Sequence, residues 1–178
     1  MKKYEFTGET KKVELFFRTV TLHRIRATVA FGLVEVGELG GWIEKEENLS
    51  HDGKAWVCGD AKVWGNAKVW GNAKVWGNAE VWGNAEVWGN AEVFSASHVL
   101  VIGAIGSRND FTTFYRDKDN EITVKCGCFL GKIDKFLQKV TETHGDSKYA
   151  LVYRAAVEVA KLQIDLSGEA PKEEDGAE

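Results

Sequence analysis

Two histidines, two neighbouring cysteines and a scatter of arginines are the side chains of this sequence best suited to chemistry. His51 and His98 flank a long repeat. A neutral imidazole at either place can act as general base toward a hydroxyl or amine that loses its proton as it attacks. Arg24 and Arg26 lie near the start, and Arg108, Asn109, Tyr115 and Arg116 follow the repeat. Arginine offers a planar fork for a carboxylate or phosphate, and a neighbouring aromatic ring can stack on a base or ring. His23, Arg24 and Arg26 alternate with Leu22 and Ile25, which also fits the solvated edge of a strand. Cys126 and Cys128 share one strand face, but a single Cys-x-Cys without a second pair reads as small buried hydrophobes. No metal or cofactor is expected, and no Walker, Gly-x-Ser-x-Gly or His-Glu-x-x-His pattern occurs.

The elements that must position these groups are set by the stretch from Ala55 to Val93. It repeats Ala-Lys/Glu-Val-Trp-Gly-Asn with a period of six. Ala and Val, two residues apart, fall on one face of a short strand, and Gly-Asn supplies a corner because both residues tolerate positive φ. Lys stands at 62, 68 and 74 and Glu at 80, 86 and 92, so an offset of 18 pairs every Lys with a Glu, whereas an offset of 12 stacks like charges. Three hexads per turn are therefore expected, with stacked strands about 4.8 Å apart. Each exposed pair contributes about 0.2–1 kcal/mol and sets register more than stability. At this offset Trp64 stacks with Trp82, Trp70 with Trp88, and Trp76 with Cys58 and Phe94, all outward, while His98 extends the Lys62 and Glu80 column.

These hexads resemble those of the left-handed parallel β-helix, the fold of hexapeptide-repeat acyltransferases. The resemblance covers about residues 41–106 and implies a left hand, a trimeric assembly and, for an enzyme, acyl or acetyl transfer with His98 or His51 as base. The flanks Leu39-Gly40-Gly41-Trp42-Ile43-Glu44-Lys45-Glu46-Glu47-Asn48-Leu49-Ser50, Ser107 to Arg116 and Cys126 to Gly131 are similar to uncharacterised hexapeptide-repeat proteins of bacteriophages and their hosts. That likeness carries no catalytic residues. It implies a use in sequestering a host nucleotide signal or blocking a host defence factor.

Outside the repeat, residues 1–40 have strand character, at Tyr4 to Phe6, Val13 to Phe17 and Val20 to Ile25, and are expected to form a β cap. The hexad phase runs back through Ile43 and Leu49, but Lys45 and His51 fall where Val should stand, so that turn is irregular. Residues 107–166 read as a ββαα unit. It has a hairpin from Phe111 to Cys126, a helix ending at Gly145, and a second helix from Asp146 or Ser147 to about Ile164 with Tyr149, Val152, Tyr153, Ala156, Val159 and Ala160 on its apolar side. Residues 167–178, with five acids and one Lys, read as a disordered tail.

The chain of 178 residues has a net charge of −4 and an odd number of cysteines, three, so a reducing, cytoplasmic setting is expected rather than a disulfide framework. No signal peptide or membrane span is expected. Without the tail the body is near neutral, with no contiguous basic field, which argues against a nucleic-acid partner. The expectation is a non-catalytic β-helical binding protein. It forms a homotrimer through Trp64, Trp70, Trp76, Trp82 and Trp88, and holds a small anionic or nucleotide ligand, or a host protein, at its irregular ends. An acyltransferase and a purely structural spacer are the alternatives.

Overall fold

A computed structural model of the chain describes residues 2–168; the expected acidic tail falls almost wholly outside them. The described chain is mainly β with two C-terminal helices. Its centre is a series of two-residue strands, one per hexad: β4 (Trp56–Val57), β5 (Lys62–Val63), β6 (Lys68–Val69), β7 (Lys74–Val75), β8 (Glu80–Val81), β9 (Glu86–Val87) and β10 (Glu92–Val93). They pair in parallel at an offset of 18, with Lys62 opposite Glu80, Lys68 opposite Glu86, and Trp56, Lys74 and Glu92 in one row. The N–H of Lys62 donates to Ala79 O at 2.9 Å, that of Lys68 to Ala85 O at 2.9 Å and that of Lys74 to Ala91 O at 2.9 Å. The repeat's Ala and Val side chains from Ala55 to Val93 are at most 1% exposed and form one apolar column. Every hexad glycine from Gly53 to Gly89 has φ between 62° and 73°, the left-handed conformation that the corner requires.

The first turn departs from this register. Ile43 of β3 (Leu39–Ile43) pairs with Val63, and Leu49 bridges Val69, both at an offset of 20. Ile43 and Leu49 thus take the inward Val places, and the two extra residues are absorbed before Val57. Lys45 begins a single 3-10 turn, Glu46–Asn48, and the buried Asn48 amide donates to Gly65 O at 3.2 Å and Ala67 O at 2.8 Å. Lys45 and His51 therefore do not occupy the inward Val places, and His51 stacks on Tyr4 instead.

Both ends of the column are plugged by an aromatic residue. At the start, β1 (Tyr4–Leu15) and β2 (Arg18–Ala27) form an antiparallel hairpin, and β2 pairs antiparallel with β3. Tyr4 and Ile25 join the apolar column, and the Tyr4 hydroxyl donates to Leu49 O at 2.9 Å. At the far end the plug is Tyr115, fully buried, whose hydroxyl donates to Trp88 O at 2.9 Å. An unpaired strand edge is a template for aggregation, and here Asp117 bridges Ala91 while Lys118 N–H donates to Asn90 O at 3.0 Å.

The C-terminal unit has four strands rather than the expected two. Antiparallel β11 (Val99–Ile105), β12 (Asp110–Arg116), β13 (Ile122–Cys126) and β14 (Phe129–Lys132) pair in chain order. β11 begins where the repeat was expected to continue, because an apolar run such as Val99 to Ile102 fits an inward hexad row and a sheet strand equally well. Helices α1 (Ile133–His144) and α2 (Lys148–Gln163) pack on this sheet around Phe114, Val124, Phe136 and Tyr153. Gly145 caps α1 at φ 54°, and Ser147 precedes α2. The buried side of α2 is Ala150, Tyr153, Ala156, Val157 and Ala160; Tyr149, Val152 and Val159 of the expected stripe lie at the surface. No helix among the described residues is long and apolar enough to cross a membrane.

Candidate functional site

The ladder of opposite charges breaks at Lys68. Lys62 and Glu80 form the expected ion pair at 2.7 Å. One face further on, Glu86 turns away from Lys68 and pairs instead with Lys125 of β13 at 3.1 Å. The Lys125 side chain is only 10% exposed; its ammonium also donates to Gly127 O and sits 5.5 Å from the centre of the Trp88 ring. Lys68 is left with the Trp70 ring at 5.3 Å as its cation–π partner, and among the described residues no carboxylate ion-pairs with it. The cause is local: β12 crosses the end of the repeat, Thr113 Oγ1 accepts the N–H of Glu86 at 3.0 Å, and β13 follows close behind.

Between this repeat face and the C-terminal sheet lies a cleft of about 360 Å³. Lys68, Glu86 and the hydrogen-bonded amides of Asn66 and Asn84, 3.1 Å apart, form one wall; Asp110, Phe111, Thr113, Lys125 and Gly127 form the other. Phe111 is 39% exposed, so a ring face or edge is accessible beside the polar groups. Gly127, at φ 54°, lets Arg108 approach: a Cβ there would lie 2.7 Å from the guanidinium Nη1. The lining brings together hydrogen-bonding amides, a hydroxyl, the Glu86–Lys125 pair, the Asp110 carboxylate and one ammonium, Lys68, with no carboxylate partner among the described residues, and the Arg108 guanidinium lies near the rim.

Of the six arginine, asparagine and tyrosine residues expected to bind a ligand, only Arg108 comes near this cleft. Asn109 adopts φ 50° in the turn between β11 and β12. Tyr115 is the buried plug. Arg116 is 2% exposed, lies over the Phe94 ring at 4.6 Å, and donates to Asn120 and to Gly168 O at 3.2 Å. Arg24 and Arg26 are at the opposite end of the repeat, Arg24 over Trp42 at 5.1 Å and Arg26 paired with Glu5 at 2.5 Å. The structure thus puts the expected arginines at three separate places, with Arg116 buried rather than open to a ligand.

The histidines are also held by local structure. His98 leaves the outer column, because Ala96–His98 forms a 3-10 turn, and is buried with its edge on Phe94. Its Nδ1 accepts the N–H of Phe94 at 3.3 Å, and burial with the nearby Arg116 charge holds its pKa below the ordinary value. His51 stacks on Tyr4 at 4.3 Å and its Nδ1 accepts the N–H of Lys3 at 3.1 Å. Burial is the first cause that lowers its pKa as well. Cys126 accepts from Thr112 Oγ1 at 3.3 Å, whereas Cys128 is in the turn after β13 and exposed, so the two thiols do not share a strand face.

The tryptophans stack as the offset of 18 requires, Trp64 on Trp82 at 6.2 Å, Trp70 on Trp88 at 5.5 Å and Trp76 on Phe94 at 5.5 Å. Trp64, however, is 4% exposed: Val20, Leu22 and Trp42 of the N-terminal strands cover it. It is removed from the expected set of contact residues, while Trp82 remains 59% exposed and Trp70 and Trp88 are partly so. Comparison with known proteins adds no relative: no family model matches the chain, and no curated protein matches it.

Proposed function

We infer that the chain is a left-handed parallel β-helix of 18 residues per turn that works as a non-catalytic binding protein, with a small anionic molecule held in the cleft beside Lys68. The offset of 18 in all three strand ladders supports the β-helix. The observation that carries the binding reading is the broken charge pair: Lys125 takes Glu86 and leaves a lysine facing an amide-lined cleft. A ligand carboxylate or phosphate there replaces the missing ladder partner of Lys68, Arg108 approaches from the rim, and a ring of the ligand stacks on Phe111. Three copies associate through Trp70, Trp76, Trp82 and Trp88, and sequestration of an anionic signal is the use that fits a cleft at the end of a repeat scaffold. Acyl transfer is the weaker reading, because both candidate bases have Nδ1 occupied by a backbone N–H and lie away from the cleft.

The test is calorimetric titration with inorganic phosphate, a dicarboxylate and a nucleoside monophosphate, on the wild type and on Lys68→Met and Arg116→Lys variants. Saturable binding of one class, weakened by Lys68→Met and unchanged by Arg116→Lys, is the expected result. Equal binding by all three proteins, or turnover of a thioester that disappears with His98→Ala, overturns the reading.

A further inference from the structure

Helix α2 has a second apolar face that its own chain leaves uncovered. Its inner side, Ala150, Tyr153, Ala156, Val157 and Ala160, is buried against α1 and the sheet, which fixes the helix in place. On the opposite side Leu151, Val152, Val159 and Leu162 are 59%, 40%, 49% and 90% exposed, with Ala155 exposed among them. Val152, Ala155, Val159 and Leu162 are spaced three, four and three residues apart, the seam of a helix that packs on another helix. A helix apolar on both sides is ordinarily buried on both.

We propose that this seam is a two-fold contact with α2 of a second copy of the chain, the helices antiparallel. The seam is complementary to itself in that orientation. Val152 faces Leu162 of the other copy and Ala155 faces Val159, so each layer joins a smaller side chain to a larger one and none joins two of the largest. The parallel arrangement instead sets Leu162 on Leu162 and Ala155 on Ala155, a wide layer followed by a gap. An isologous contact needs this self-complementarity and no second partner. The exposed seam amounts to on the order of 400 Å² of apolar surface per copy, a patch of the size that marks contact sites. Two such patches and their polar borders approach the roughly 1,200 Å² at which stable interfaces begin. The contact is independent of the tryptophan corners and of the cleft, and it joins assemblies two by two.

Sedimentation of the full chain tests it, with Val159→Glu and Ala155→Glu as separate variants whose folding is checked by thermal melting. Each is expected to halve the assembly mass of the wild type; an unchanged mass in a folded variant overturns the proposal. Register is read in a Cys128→Ser background by mild oxidation of chains carrying Ala155→Cys, Val159→Cys, or an equal mixture. The mixture is expected to cross-link between the two substituted positions several-fold faster than either chain alone. Cross-links that form only between like chains, or none, overturn the antiparallel pairing.

Discussion

Lys68 is the residue on which the binding account turns, and its position shows what a sequence can and cannot disclose. Losing one charge-assisted hydrogen bond to an anion costs about 1.5–3 kcal/mol, so Lys68→Met is predicted to weaken binding roughly 10-fold to 100-fold. It should leave the melting temperature within a degree or two, as no carboxylate among the described residues depends on it. That Lys68 stands opposite Glu86 was legible from the offset of 18, and the strand register agrees, although the ion pair itself does not form. That Lys125 would take Glu86 was not, because Lys125 arrives from a strand 39 residues further on and nothing periodic links the two. The histidines carry a second prediction at this scale. Both His51 and His98 are held neutral, with folded pKa values below the unfolded one of about 6.5. The unfolded chain binds the extra protons, so stability is full above about pH 6.5 and falls as pH drops from there through the folded pKa values. Denaturant midpoints measured from pH 7.5 to 5 should decline, and the His51→Gln, His98→Gln double variant should flatten that slope.

Among the elements, the repeat was nearly transparent and the caps were not. A two-residue strand, an inward Ala/Val pair and a Gly corner follow from six residues of sequence, since each is a local requirement. The plugs, Tyr4 and Tyr115, sit in strands whose alternation says only that one side is buried and not what it is buried against. Tyr115 is predicted to be worth more than its hydroxyl. Tyr115→Phe removes the bond to Trp88 O and costs about 1 kcal/mol, whereas Tyr115→Ala opens the end of the column and costs about 3–5 kcal/mol, both measured by urea unfolding. The turn that seals the strand edge depends on Asp117. Burial alone would raise its pKa, but hydrogen bonds from Lys132, Thr123 and the N–H groups of Asp119 and Glu121 hold it below the ordinary carboxylate range. Asp117→Asn should cost about 2–3 kcal/mol at neutral pH. That difference should shrink as pH falls below about 4 and through the folded pKa, because the wild-type carboxylate then loses its advantage. For helix α2 the expected stripe was half right, Tyr153, Ala156 and Ala160 being buried and Tyr149, Val152 and Val159 not, for a physical reason: with apolar residues around most of its circumference, periodicity does not choose between its two faces.

For the whole molecule, the tryptophan corners are the apolar surface that the repeat itself offers to other copies, apart from the exposed face of α2. Replacing Trp82, 59% exposed, by Lys should reduce the mass of the assembly in sedimentation while leaving the monomer folded, because only one side of that ring is held by Trp64. A rigid column of this kind contributes position rather than chemistry; the unique groups gather where β12 and β13 cross its end. The most direct test of that account is mass spectrometry of the small molecules released on denaturing the purified protein, comparing the wild type with Lys68→Met. The account predicts a single anionic species near one equivalent per chain from the wild type and a strongly reduced amount from the variant. An anion retained equally by both, or no anionic species from either, would contradict it.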